Sequence, residues 1–419
     1  MTETDRLDAI LARDAPAVAR ALSPLGRRAA FPRGIPWQSD QARGARINAT
    51  IGQLTDGRGN PMPLDALSTG VADLDPQMTW LYAPVEGPRA LRQTWIDRQR
   101  RVAGGPATRV SLPVVTHGLT HSLSVLASLF CDDDTTVLLP DPVWENYHLL
   151  FGLNAAPRFA SWSFFRDGRL DVGSFSDEVA KVRGKLIVIL NFPGNPSGYM
   201  PTSAEVDELV AALQRAHGPV VVVCDDAYQG WVYADDVHPR SLFWDLAERL
   251  DPEKFTVWKV DGATKELLFF SSRVGFLTHA NTSGDAEDAL LSKTKTIIRG
   301  TVGSPSGPAM ALIQRGLSNG EVERQFSLRR QELGRRWSAL AIGLERLSGS
   351  ILTPFPFNGA FFALLAVADG HDPERIRLRL LHDHSVGVVA FPKAIRLAYC
   401  SLHADDIPLL VDRLVQVAE

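Results

Sequence analysis

The stretch FTVWKVDGATKELLFFSSRVGF spans residues 255–276, and the fold turns on how it is read. FTVWKV is a strand-like run, DGAT is a turn of small residues, and Lys265 stands directly behind that turn. Leu267, Leu268, Phe269 and Phe270 follow, and Arg273 precedes a second strand-like run, VGFLTHA. An ammonium set among apolar groups is costly unless it is paired or deprotonated. A lysine at this position therefore asks for a chemical reason.

Three similar runs precede it: TTVLLP (135–140), KLIVIL (185–190) and PVVVVC (219–224). Helix-like segments lie between them, such as PTSAEVDELVAALQRAHG (201–218), with Thr202 or Ser203 as the cap and Gly218 as the expected end. Continuous apolar strands alternating with helices predict an α/β fold whose mostly parallel sheet is covered on both faces. The last hundred residues differ. RRQELGRRWSALAIGLERL (329–347) is amphipathic, and shorter strands are expected around FFALLAV and IRLAYCS. This predicts a smaller α+β domain, against which the N-terminal sixty residues, rich in Arg, Gly and Pro, are expected to pack. The expected division is a large domain at 62–318 and a small domain built from 1–61 and 319–419.

Composition narrows the function classes. The chain has 419 residues, 45% hydrophobic and 22% charged, enough for a large core. Its net charge is −4 with no basic stripe, so nucleic acid is not an expected partner. No apolar run reaches about 18 residues, so no membrane helix is expected. The N-terminus, MTETDRLDAI, is charged and has no signal-peptide core. Cys131, Cys224 and Cys400 are odd in number and far apart, which fits neither a disulfide framework nor a zinc site. A reducing cytoplasm is the expected compartment. His117 and His121 are spaced i, i+4 but have no acidic partner of the HExxH kind, so no metal is expected.

Ligands of open parallel sheets bind outside the carboxyl ends of the strands. The four runs are followed there by DPVWENY, NFPGNPSG, DDAYQGW and DGATK. Each has an ordinary structural explanation: Trp144 as core, NFPGNPSG as a turn, Asp225 as a helix cap, Lys265 as a snorkelling side chain. Their convergence on one sheet edge favours chemistry. A lysine amine forms a Schiff base with an aldehyde cofactor. Pyridoxal phosphate acts as an electron sink, and its ring nitrogen takes a carboxylate partner. An aromatic face stacks on the ring. The phosphate takes a helix N-terminus and an arginine. VVTHGLTHSLSVLASLF (114–130) offers such a start: Gly118 for close approach, then Leu119 and Thr120 with their N–H groups.

These motifs together resemble the fold type I, pyridoxal-phosphate-dependent aminotransferases of class I/II, closest to the aspartate aminotransferase branch. The resemblance runs from about residue 47 to 400. It implies the following roles. NPSG is similar to the family's Asn-Pro-Thr-Gly box, so Asn195 is expected on the cofactor's phenolic oxygen. DDAYQGW makes Asp225 the pyridine-nitrogen partner and Tyr228 a second donor to that oxygen. Lys265 takes the Schiff-base role, and Arg273 the phosphate. PVWENY carries the ring-stacking Trp144. YAPVEG carries Tyr82, expected to reach the phosphate of a neighbouring subunit in a homodimer. IRLAYCS carries Arg396 for the substrate α-carboxylate, and INATIGQLTDGRGNP carries Gly52 at the substrate site. Gly262 stands where the family often has serine, and Thr264 is expected to compensate in part. HGLTH departs from the branch's Ser-Gly-Thr-Gly loop but leaves the backbone contacts possible.

The implied activity is transfer of an amino group from an L-amino acid to a 2-oxo acid such as 2-oxoglutarate. Lys265, released by substrate, is the base that moves a proton between Cα and the cofactor. Arg299, thirty-four residues after Lys265, matches an arginine that crosses the dimer interface to grip a side-chain carboxylate, which favours a dicarboxylate donor. An aromatic donor remains open. So do a lyase, a decarboxylase and an aminocyclopropane-carboxylate-synthase-like enzyme, which use the same cofactor shell. A non-enzymatic binding protein with a relic site is the reading that Asp225, Tyr228, Lys265 and Arg273 argue against.

Overall fold

The computed structural model describes residues 3–30, 34–68, 70–153, 155–318 and 320–418. Asn319, where the second small-domain segment was expected to start, lies outside the described residues. Seven strands form the main sheet: β1 (Val114–Thr116), β2 (Thr136–Asp141), β3 (Arg158–Ser163), β4 (Leu186–Leu190), β5 (Val220–Asp225), β6 (Phe255–Gly262) and β7 (Gly275–His279). Their order is β1-β7-β6-β5-β4-β2-β3. The pairs β3–β2, β2–β4, β4–β5 and β5–β6 are parallel. β7, between β6 and β1, runs antiparallel to both.

The apolar runs form strands because both faces of the sheet are covered. Side chains alternate along β4: Ile187 and Ile189 join one core cluster, while Leu186, Val188 and Leu190 join another. The helix expected at 201–218 runs over Ser203–Gln214. Thr202 caps it, and Glu205 bonds back to the Thr202 N–H to complete a capping box. Gly218 does not end this helix. A side chain there would meet the Gly184 carbonyl oxygen at 2.3 Å, so its small size serves the packing of two loops.

A second sheet lies in the C-terminal part: β8 (Leu352–Pro354), β9 (Phe362–Val367), β10 (Val389–Phe391) and β11 (Ala394–Ala398), antiparallel in the order β8-β9-β11-β10. The N-terminal region reaches it. Ile47–Asn48 pairs with Val386–Gly387. The Gln38 side-chain amide donates to Ala390 O at 3.0 Å and accepts from Ala390 N at 2.7 Å. Among the described residues, no helix is long and apolar enough to cross a membrane.

Candidate active site

The carboxyl ends of β2, β4, β5 and β6 meet at one edge of the main sheet. Lys265 sits in the short helical turn Ala263–Glu266 behind β6. Its Nζ lies 5.5 Å from the centre of the Tyr228 ring and makes no ion pair among the described residues. Burial lowers the Lys265 ammonium below the ordinary lysine range; Asp225 opposes that shift and Arg273 adds to it. An amine so placed is readily deprotonated.

Asp225 ends β5 and is 3% exposed. Its Oδ2 accepts the Tyr147 hydroxyl at 2.6 Å, and its Oδ1 accepts the Ala227 N–H at 3.2 Å. Burial raises its carboxyl, and the Tyr147 hydroxyl followed by the Lys265 charge pulls it back. Asp226, next along, takes Lys259 Nζ at 2.8 Å and the Ser241 hydroxyl at 2.6 Å. The two carboxylates thus have separate sets of partners.

At the N-terminus of the helix Leu119–Phe130, Gly118 has φ +80°, and a Cβ there would lie 2.6 Å from Arg273 Nη2. Bare backbone is what lets the guanidinium lie over the helix start, where Leu119 and Thr120 present the first N–H groups. His121 is occupied locally: Nδ1 accepts the His117 N–H at 3.0 Å and Nε2 meets the Thr301 hydroxyl at 2.9 Å. Burial, aided by His117, holds His121 down at about 4.

A cavity of about 630 Å³ opens in front of this edge. Trp144, Asn195, Tyr228, Arg396 and Gly52 line it, with Phe362 and Glu145. The Arg396 guanidinium is 1% exposed. Its Nη1 donates to Asn195 Oδ1 at 2.8 Å and its Nη2 to Thr50 O at 2.7 Å, both neutral acceptors. Its Nε has no partner among the described residues, and burial pushes the group down to about 10. Phe362 underlies it at 4.4 Å. Gly52 leaves room for that ring, since a Cβ there would meet Phe362 Cζ at 2.5 Å.

Two expected residues stand elsewhere on this chain. Tyr82 is 96% exposed, with Trp80 and Leu81 beside it also exposed. Arg299 is exposed in the last turn of the helix Asp285–Thr301, in a separate recess shared with Val85 and Lys295. Four contributors escaped the sequence reading: Tyr147 on Asp225, Asn191 bonded to Asp225 O at 2.7 Å, Phe362 under Arg396, and Glu145. Tyr147 had a signal, because PVWENY places it three residues after Trp144.

Residues 46–414 match the family "Aminotransferase class I and II". The chain belongs to this family. Its members depend on pyridoxal phosphate, and this aminotransferase lies near the aspartate branch. It is 24% identical over 297 residues to the mitochondrial aspartate aminotransferase of Schizosaccharomyces pombe, a match that covers 67% of this chain and 64% of that enzyme. An aminotransferase structure from Anaerococcus prevotii superposes with TM-score 0.84 at 20% identity, covering 95% of this chain and 99% of the other. The cytoplasmic aspartate aminotransferase of Saccharomyces cerevisiae gives TM-score 0.77 at 20% identity, covering 96% and 99%. These structural likenesses show the fold.

The residues present fit the family's cofactor. Thr264 Oγ1, one residue before Lys265, is buried with no hydrogen-bond partner among the described residues, which leaves its hydroxyl available to a phosphate. Among the described residues the Arg273 side chain makes a single hydrogen bond, to Phe270 O at 3.1 Å, and it lies against the helix start. Asp225 is a buried carboxylate suited to a protonated ring nitrogen.

Proposed function

We propose that this chain moves an amino group from an L-amino acid to a 2-oxo acid, with 2-oxoglutarate as acceptor. The observation that carries this reading is Arg396. A guanidinium sealed from water, bonded only to neutral oxygens and with Nε unpartnered, calls for an anion. Its cavity also holds Tyr228, the ring beneath Lys265. An α-carboxylate on Arg396 directs the rest of an amino acid toward Lys265.

Bound pyridoxal phosphate supplies the aldehyde and the electron sink. In this reading Leu119, Thr120, Thr264 and Arg273 hold its phosphate, with Gly118 giving room. Asp225 would hold the ring nitrogen's proton, Asn195 and Tyr228 would bond the phenolic oxygen, and Trp144 would cover the ring. Arg396 fixes the substrate carboxylate and so orients the Cα–H bond. Lys265 Nζ would take the Cα proton and return it to the cofactor's aldehyde-derived carbon, a 1,3-shift. Burial lowers its proton affinity below the ordinary lysine range, the direction a general base needs.

The donor we favour is aspartate or another dicarboxylate, with an aromatic amino acid second. The dicarboxylate reading needs Arg299 of a second copy, because this chain's own Arg299 lies outside the cavity. We infer a cytoplasmic homodimer, which the exposed Trp80, Leu81 and Tyr82 favour, and a small domain of 1–61 and 319–419 that brings Arg396 to the 62–318 domain.

Product analysis tests the activity. Single-turnover mixing of holoenzyme with an amino acid should yield one equivalent of 2-oxo acid and pyridoxamine phosphate. Release of carbon dioxide, ammonia or a β-leaving group would replace the transfer with decarboxylation or elimination. Borohydride reduction followed by peptide mapping should find the cofactor on Lys265.

A further inference from the structure

Asp225, Tyr228 and Lys265 share a sequence feature. Each is followed directly by a polar residue buried on the far side of the site: Asp226, Gln229 and Glu266. All three enter one sealed cluster. Lys259 Nζ sits at its junction, 2.8 Å from Asp226 Oδ2, 2.7 Å from Gln229 Oε1 and 2.6 Å from Asp261 Oδ2. Asp261 Oδ1 also accepts Trp95 Nε1 at 3.1 Å. Glu266 pairs with Arg98 and takes Gln99 Nε2 at 3.0 Å. Arg98 reaches Glu323 at 2.7 Å at the cluster's outer end.

Lys259, Asp226, Asp261, Glu266 and Arg98 are each no more than 3% exposed. A buried ionic cluster is seldom the stablest filling for such a space, since apolar residues of equal volume often do as well or better. What it supplies is direction. Each polar contact fixes a side chain, and through it the backbone that carries the preceding residue at the candidate site. Asp226 and Gln229 tie the end of β5 and its following turn to the middle of β6. Glu266 ties the Lys265 turn to the helix Arg89–Val102.

We propose that Lys259 is a positioning residue for the reaction. From behind the sheet its ammonium holds the backbone that presents Asp225 and Tyr228, and anchors it to the strand leading to Lys265. This rests on the roles given to those three residues above. Its charge also bears on Asp225, whose carboxyl it helps to hold down.

The test uses holoenzyme carrying Lys259→Met, and the double variant Lys259→Met with Asp261→Asn, which keeps the cluster's net charge. Four quantities are read: kcat, KM, the pH midpoint of the bound cofactor's visible band, and the fraction of cofactor trapped on Lys265 by borohydride. A misplacement of about 1 Å costs about 100-fold in rate. Both variants should therefore lose about 100-fold in kcat while KM stays within about threefold and trapping on Lys265 persists. The single variant should raise the pH midpoint, because a neighbouring positive charge has gone. The double variant should return the midpoint toward wild type and leave kcat low. Wild-type kcat in the double variant overturns the proposal, since the role would then be purely electrostatic. A lowered Tm with unchanged kcat and midpoint overturns it too, as does a double variant that fails to fold, because either result makes the cluster a stability element. Wild-type enzyme that traps cofactor on another lysine refutes the underlying reading instead.

Discussion

Tyr147→Phe isolates the link between burial and chemistry. The change removes one oxygen from a position 1% exposed and leaves the ring's packing intact. It deletes the 2.6 Å bond to Asp225 Oδ2, the largest influence opposing burial at that carboxyl. Hydrogen bonds to charged groups are worth about 1.5–3 kcal/mol. If that loss is expressed where Asp225 must hold the ring proton, kcat falls by about 10- to 150-fold. Stability of the cofactor-free protein gives an independent readout. Burial raises Asp225 above its unfolded value, so the folded state holds the carboxyl proton more tightly than the unfolded chain. Stability from this group is therefore full below the unfolded value of about 3.9 and falls as pH rises toward the folded value. Without the Tyr147 hydroxyl the fall continues further, by about 1.5–3 kcal/mol. Denaturant titrations of wild type and variant across pH should show a small gap in acid that widens toward neutral. A gap of constant size, or one that closes as pH rises, would refute the electrostatic account. So would unchanged kcat.

Three other outcomes follow from single contacts. Arg299→Ala should cut kcat/KM for dicarboxylates by about 30- to 5,000-fold, the 2–5 kcal/mol of one lost partner in a desolvated pair, while tyrosine turnover falls far less; equal losses would make Arg299 structural. Gly52→Ala forces the Phe362 ring from beneath Arg396, and overpacking of about 1–3 kcal/mol should appear as a raised KM and a lowered Tm, with apo and holo midpoints both reduced. Thr202→Ala removes the cap whose oxygen accepts Glu205 N at 3.2 Å, and should lower stability by about 1 kcal/mol in denaturant with kcat unchanged.

Residue order exposed the strands because their environment is uniform. Interior parallel strands are wet on neither face, so KLIVIL and PVVVVC needed no pattern beyond apolarity. β1 is three residues long, too short for any period to register, and the antiparallel direction of β7 depends on which strand it meets. The candidate site divides along the same line. Residues fixed by the ends of strands, such as Asp225 and Lys265, were legible from position alone. Tyr147 is marked only by its place three residues after Trp144; Asp225 lies 78 residues on, so the partner itself is not written locally. Lys259 differs, because its signal was present and local. A charged residue inside FTVWKV contradicts an otherwise apolar central strand, and side chains two apart on a strand share a face. Lys259 and Asp261 therefore had to be neighbours, and they lie 2.6 Å apart. Lys265 lies against the Tyr228 ring and Lys259 is paired in the core, so one amine stands beside the candidate site and the other ties the strand behind it.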